Sequence, residues 1–273
     1  MALGLYEKSM PGHLTWREKL TAAKEAGYDY VEISIDETDA KQARLDWTAA
    51  EFADFVQAQL ETGVPVRSMC LSGHRKYPFG SHDPALRARS REIMEKAILF
   101  AEKAGVRLIQ LAGYDVYYEE GDEQTRAWFE EGLRHAVQFA AEHEVLLGFE
   151  TMETPFMDTV EKGMAWVEKI DSPYLGMYPD IGNMTNAAEL YGTDWKWDLR
   201  RANNSLMAVH LKETVAGKYR DMMFGDGRVE FETTITIARE MGVGSFTAEF
   251  WHDGSENWME RLKFAAEYLK KWM

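Results

Sequence analysis

Residues 100–113, FAEKAGVRLIQLAG, contain the unit from which the chain is built: the end of an amphipathic helix, Gly105, then a short apolar strand. Glycine just past a last helical turn takes the left-handed conformation at little cost, so Gly105 reads as a helix stop. The apolar run after it has strand length and β-branched content. The same unit recurs as AAKEAGYDYVEIS at 22–34, QLETGVPVRSMCLS at 59–72 and AREMGVGSFTAEF at 238–250, around Gly27, Gly63 and Gly242. Helix starts are legible too: in Ser81-His82-Asp83-Pro84 a capping carboxylate precedes proline at the first helical position. Helical spacing follows in Ile93, Met94, Ala97, Ile98, Ala101 and Ala104, and again in Trp128, Phe129, Leu133, Ala136, Val137 and Ala140.

Strand candidates fall at roughly 3–8, 30–35, 66–72, 107–113, 146–150, 175–180, 206–212 and 245–250, with helical segments between them. Strands alternating with helices imply right-handed crossovers and a parallel sheet, and eight such units close into a single α/β domain, a (β/α)8 barrel spanning 1–273. No linker, low-complexity tract or second domain interrupts them. The longest irregular stretches, 73–83, 114–121 and 213–229, all follow strands and so belong on the C-terminal rim, where barrel active sites lie.

Four successive apolar runs carry a ligand-type residue at or near their C-terminal ends. They are Glu150 in LLGFET, Asp180 in LGMYPDIGN, His210 in LMAVHLKET and Glu249 in SFTAEFW. In a parallel barrel those ends converge on one rim, so residues far apart in sequence meet around one point. A lone Glu or Asp after a strand is usually a helix cap, but Glu150 and Glu249 interrupt apolar surroundings where an unpartnered carboxylate is costly. Three carboxylates and an imidazole suit Mn²⁺, Mg²⁺, Co²⁺ or Zn²⁺ better than copper. His210 alternates with Lys212, which points both side chains the same way.

The bulk numbers narrow the partners. A formal net charge of -15 argues against nucleic acid and anionic membranes. Cys70 is the only cysteine, which excludes an intramolecular disulfide and a CxxC zinc knuckle, and it reads as a small buried hydrophobe. No apolar run approaches the roughly 20 residues that cross a bilayer, and the start of the chain lacks a signal-peptide pattern, so a cytoplasmic location is expected. The face bearing Glu161, Lys162, Glu168 and Lys169 is expected to be solvated.

Several stretches carry a family resemblance: LGLYEKSM, VEISIDETDAKQARLDW, SMCLSGHRKYPFGS, LIQLAGYDVYY, YPDIGN, AVHLKET and FGDGRVEF. The chain resembles, over nearly its whole length, the L-ribulose-5-phosphate/L-xylulose-5-phosphate 3-epimerases of L-ascorbate catabolism, in the xylose-isomerase-like TIM-barrel superfamily. The resemblance implies a divalent metal, most often manganese or zinc, no organic cofactor, a small sugar phosphate as substrate, and a homodimer. Its ligands fall on the Glu of GFETMET (Glu150), the Asp of YPDIGN (Asp180), the His of AVHLKET (His210) and the Glu of TAEFW (Glu249). Inverting C3 of a 2-ketose removes a proton α to the carbonyl and returns one to the opposite face. A metal chelated by the C2 and C3 oxygens stabilises the cis-enediolate, and two carboxylates serve as base and acid. The resemblance gives that role to Glu150 and Glu249.

Glu153 and Asn183, three residues after Glu150 and Asp180, are assigned to substrate hydroxyls. Unphosphorylated ketohexose 3-epimerases commonly carry His where Asn183 stands, which disfavours that substrate class. Tyr6, Glu7, Lys212 and Trp251 are expected to line the substrate pocket, and Lys8, His74, Arg75 and the amides of Gly225 and Gly227 to meet the phosphate. Three rivals remain. A 1,2-aldose–ketose isomerase of the hexulose-6-phosphate type uses similar chemistry one carbon away. An endonuclease-IV-like enzyme needs more histidines than the 7 present and a basic face. A non-catalytic sugar-phosphate sensor would tolerate loss of one of the two glutamates.

Overall fold

The structure, a computed structural model, describes residues 1–273. Eight parallel strands form one curled sheet: β1 Ala2–Tyr6, β2 Tyr30–Ser34, β3 Val66–Leu71, β4 Leu108–Ala112, β5 Leu146–Glu150, β6 Leu175–Met177, β7 Val209–Leu211 and β8 Ser245–Ala248. Neighbours run in the order β6-β5-β4-β3-β2-β1-β8-β7. The two edges, β6 and β7, meet through isolated parallel bridges, Met177 with Leu206 and Asp180 with His210. Met207 N–H donates to Met177 O at 2.9 Å, and His210 N–H to Pro179 O at 2.9 Å. This is the expected (β/α)8 barrel.

Helices alternate with the strands and stop as the sequence indicates. Gly27, Gly63 and Gly105 follow helices Trp16–Ala26, Ala49–Thr62 and Pro84–Ala104 with φ of 92°, 71° and 75°. Near Gly242 the fit is off by one residue: helix Phe231–Glu240 closes on Met241, and Gly242 turns left-handed after it. Asp83 caps helix 84–104, its side chain accepting from Ala85 N–H, with Pro84 at the first position. Ile93, Met94, Ala97, Ile98 and Ala101 of that helix are buried against the sheet. Each of Ile93, Met94 and Ile98 contributes roughly 1.5–3 kcal/mol when it leaves water. One apolar cluster runs from Leu3 to Leu269, so there is a single core.

Strand ends differ from expectation at the rim. β6 stops at Met177 rather than 180, because Pro179 has no N–H and Asp180 instead caps helix Ile181–Tyr191. β1 stops at Tyr6, where Glu7–Ser9 form a 3₁₀ turn, and β7 and β8 are likewise shorter than the apolar runs. Inside the barrel, Gly4 leaves room for the Tyr30 ring; a Cβ there would lie 2.2 Å from it. Tyr30 then reaches Thr247 Oγ1 at 2.9 Å across the lumen.

Candidate metal centre and active site

Four neighbouring strands each deliver one ligand-type residue to the same point. Glu150 ends β5, Asp180 caps the helix after β6, His210 lies in β7, and Glu249 follows β8. All four are buried, and one ligand atom from each lies within 4.8 Å of the others. Asp180 is held at both ends: its backbone N–H donates to Thr151 Oγ1 at 3.0 Å, and its Oδ1 accepts from Asn183 N–H at 2.7 Å. Its Oδ2 has no hydrogen-bond partner. The Lys212 ammonium is 3.2 Å from that oxygen, an ion-pair distance without hydrogen-bond alignment, and 3.9 Å from Glu249 Oε2. His210 Nδ1 stands 2.8 Å from Glu249 Oε2.

Burying three carboxylates beside two cations forces them apart in proton affinity. Burial first, then repulsion from Glu249, pushes Glu150 up to about 8. Burial likewise raises Asp180 to about 7, with Lys212 opposing. For Glu249 burial is outweighed by Lys212 and His210, and its carboxyl is held well below the usual range. For Lys212 burial is outweighed by Asp180, Glu249 and Glu150, which keep it charged. The set therefore has surplus negative capacity, an orphaned carboxylate oxygen and hard O/N donors, and it fits a divalent cation.

A cleft of about 200 Å³ opens above this cluster. Tyr6, Lys8, Arg75, Glu153, Asn183, Lys212 and Trp251 line it with Glu150 and Glu249. Asn183 lines the cleft, its Nδ2 donating to Thr151 O at 2.8 Å while its buried Oδ1 has no partner. Glu153 accepts from Tyr114 OH at 2.6 Å and Tyr117 OH at 3.3 Å. Tyr6 meets Trp251 edge-on, ring centres 6.1 Å apart. Lys8 is paired with Asp36 at 2.5 Å, and Arg75 lies 3.9 Å from Glu153.

Other residues fall elsewhere. Glu7 points away from the cleft into a buried ion cluster with Arg44 at 2.5 Å, Lys19 at 3.3 Å and Lys41. These cations outweigh burial and hold its carboxyl far below the usual range. Glu7 opens the 3₁₀ turn that follows β1 and turns inward to these cations, while Tyr6 and Lys8 line the cleft. His74 is buried against Phe79 with Nε2 3.3 Å from Ser90 O, and burial lowers its pKa to about 4. Gly225 N–H donates to Glu213 Oε2 at 2.9 Å, and the Gly227 backbone packs on Glu213 and Thr214. The Gly-Asp-Gly loop is a turn built around Glu213, not part of the cleft lining.

Several cleft residues escaped the sequence reading. Asp36, Glu37 and Thr38, after β2, form one wall. Arg220 stacks on Trp251, 5.5 Å from the ring centre, and makes no ion pair. Cys70 is buried as expected, yet it lines the cleft floor. Glu32 lies below the cleft, completely buried, with Oε1 2.6 Å from His210 Nε2. A carboxylate centred in the apolar run Tyr30-Val31-Glu32-Ile33 was the available signal, because a buried charge demands a partner.

Comparison with known proteins agrees with this geometry. Residues 20–272 match the xylose isomerase-like TIM barrel family. SgbU of Escherichia coli (strain K12) is 46% identical over 91% of this chain and 88% of its own. L-ribulose-5-phosphate 3-epimerase UlaE of Salmonella typhimurium (strain LT2) is 41% identical over 98% of this chain and 93% of its own. In structure, D-allulose 3-epimerase from Methylomonas sp. superposes with a TM-score of 0.82 at 18% identity, covering 100% of this chain and 97% of that one. An L-ribulose 3-epimerase gives 0.75 at 17% identity, covering 100% and 93%. These two share the fold. The chain belongs to the xylose isomerase-like TIM barrel family and, within it, to the L-ribulose-5-phosphate 3-epimerases.

Proposed function

We propose that the protein is a divalent-metal-dependent isomerase interconverting L-ribulose 5-phosphate and L-xylulose 5-phosphate by inversion at C3. The observation that carries this reading is the four-residue cluster, in which Glu150 and Glu249 are the outer pair, flanking Asp180 and His210 around the barrel. Glu150, Asp180, His210 and Glu249 would hold the ion, Mn²⁺ or Zn²⁺ by resemblance, with Mg²⁺ or Co²⁺ also suited to the donors. When bound, the ion supplies Lewis-acid polarisation of the ketose carbonyl.

The chain's own groups supply the rest. Glu150 and Glu249 stand on opposite sides of the cluster and divide into base and acid, and which one is the base depends on the epimer bound. Glu249 takes the C3 proton from one face and Glu150 returns one to the other; the reverse reaction exchanges their roles. Asn183 Oδ1 and the Glu153 carboxylate accept from sugar hydroxyls. Trp251 and Tyr6 wall the site and exclude water from the carbanion. The phosphate reading rests on Lys8, Arg75 and Arg220, which stand on three separate rim segments.

The test is proton NMR of L-ribulose 5-phosphate in D₂O with Mn²⁺-treated, desalted protein. Deuterium at C3 with L-xylulose 5-phosphate appearing is expected. Deuterium at C1 with an aldose product would move the assignment to a 1,2-isomerase. Exchange at neither carbon, with metal bound, overturns the activity for this substrate.

A further inference from the structure

Glu32 is a carboxylate buried beneath the cleft without facing it. It comes from the middle of β2 and is completely inaccessible. Its Oε1 lies 2.6 Å from His210 Nε2, and its Oε2 accepts from Ser68 Oγ at 2.6 Å and Tyr178 OH at 2.8 Å. Tyr178 OH in turn meets Thr247 Oγ1 at 2.6 Å. The only cationic group in reach of Glu32 is His210. A carboxylate this deep is expensive unless every lone-pair direction is used, and three donors from three other strands or their ends use them here. The four barrel positions thus form a fixed frame around one edge of the His210 ring. The opposite edge, Nδ1, faces Glu249 and the rest of the ligand set.

We propose that Glu32 is a positioning residue for metal binding. By accepting from Nε2–H it commits His210 to the tautomer whose Nδ1 lone pair points at Glu150, Asp180 and Glu249. Ser68 and Tyr178 hold the Glu32 carboxylate so that this orientation exists before the ion arrives. A neutral imidazole has one donor and one acceptor nitrogen, so fixing the donor at Nε2 leaves Nδ1 as the ligand atom. Carboxylates of this kind behind a ligating histidine typically add 10–100-fold to metal affinity. The proposal rests on reading Glu150, Asp180, His210 and Glu249 as the metal set.

Calorimetric titration of Mn²⁺ into the metal-free Glu32→Gln protein, checked for folding by near-ultraviolet circular dichroism, tests it without substrate. Affinity about 10–100-fold below wild type is expected, with turnover regained at saturating Mn²⁺ and an unchanged KM. Ser68→Ala, which keeps the Glu32 carboxylate, should lose less than tenfold. Wild-type Mn²⁺ affinity in folded Glu32→Gln overturns the proposal, whatever that variant's thermal stability. Should Glu32→Gln not fold, the ¹⁵N spectrum of His210 in the wild-type Zn²⁺ form decides. Nε2 protonated and Nδ1 metal-bound supports the assignment; the opposite tautomer overturns it. Neither readout depends on which sugar is turned over, so a failed epimerase assay would leave this result standing.

Discussion

Asp180 and His210 face one another as a single parallel β-bridge, and that bridge closes the barrel beside the ligand set. The sheet has no continuous ladder between β6 and β7, so rim closure and site assembly share the same backbone contact. Pro179 makes this possible: it ends β6, offers its carbonyl to His210 N–H at 2.9 Å, and delivers Asp180 to the helix cap. Two of the four ligand-type side chains are therefore positioned by main-chain hydrogen bonds, before any ion contributes.

Metal affinity should fall as pH falls. Glu150 at about 8 and Asp180 at about 7 carry protons at neutral pH that an ion must displace. Raised acid pKa values mean that protons compete with the cation, so affinity rises with pH through this window. Protons should be released from Glu150, Asp180 and His210 as Mn²⁺ binds, because all three have raised proton affinities in the metal-free cluster, and the number released should grow as pH falls. Calorimetry in buffers of different ionisation enthalpy counts them, and pH-independent binding would contradict the charge distribution described for the cluster.

Glu150→Gln and Glu249→Gln, each saturated with metal, should lose about 10²–10⁴-fold in turnover while remaining folded. Each variant should still exchange the C3 proton of the epimer whose base is the surviving carboxylate. Deuterium exchange measured separately on L-ribulose 5-phosphate and L-xylulose 5-phosphate would show this asymmetry. Wild-type turnover in either metal-loaded variant would remove the pair from the chemistry.

Arg220→Ala and Lys8→Ala should raise KM for the phosphorylated ketose while leaving the slow reaction of unphosphorylated L-ribulose unchanged. A hydrogen bond to a charged group is worth about 1.5–3 kcal/mol, which corresponds to roughly 10–150-fold. Lys8 should lie at the low end, because it already pairs with Asp36. Equal losses on both substrates would place these residues outside the phosphate contact.

Glu7→Gln should destabilise the fold by roughly 3–5 kcal/mol, because it leaves Lys19, Lys41 and Arg44 crowded around a neutral amide. Chemical denaturation measures the loss. Mn²⁺ affinity should stay near wild type, since Glu7 does not reach the cleft.

His74 should make the fold acid-sensitive. Burial depresses its pKa from 6.5 to about 4, so the folded state prefers the neutral ring. For such a group the stabilisation is complete above the unfolded value of 6.5 and is lost as pH falls toward 4. At about 1.36 kcal/mol per pH unit the loss approaches about 3 kcal/mol. His74→Phe, which keeps a ring against Phe79, should unfold with a flatter pH dependence between 6.5 and 4.

The barrel was legible because its signals are local. Glycine caps, the Asp83-Pro84 start and the apolar periodicities each involve a few neighbouring residues, and hydrogen bonding within one turn or strand decides them. Glu150, Asp180, His210 and Glu249 were legible for a related reason: parallel strands in a closed sheet must bring their C-terminal ends to one rim. Knowing that four runs were strands was enough to bring the four side chains together.

What the sequence could not settle by itself was the direction and company of side chains near those ends. Glu7 and Lys8 are adjacent in the 3₁₀ turn after β1, yet one enters an ion cluster and the other lines the cleft. Gly225 sits in a loop rich in glycine, and only folding reveals that its amide is taken by Glu213. Glu32 and His210 are 178 residues apart, and their 2.6 Å contact exists because β2 and β7 face each other across the lumen. The sequence by itself therefore determined the strand and helix order, the single-domain barrel and the four rim residues, through short-range physics and one closure rule. Only the tertiary structure decided which charges pair, which remain free and which carboxylate stands behind the histidine, because these depend on atoms brought together by the closed barrel.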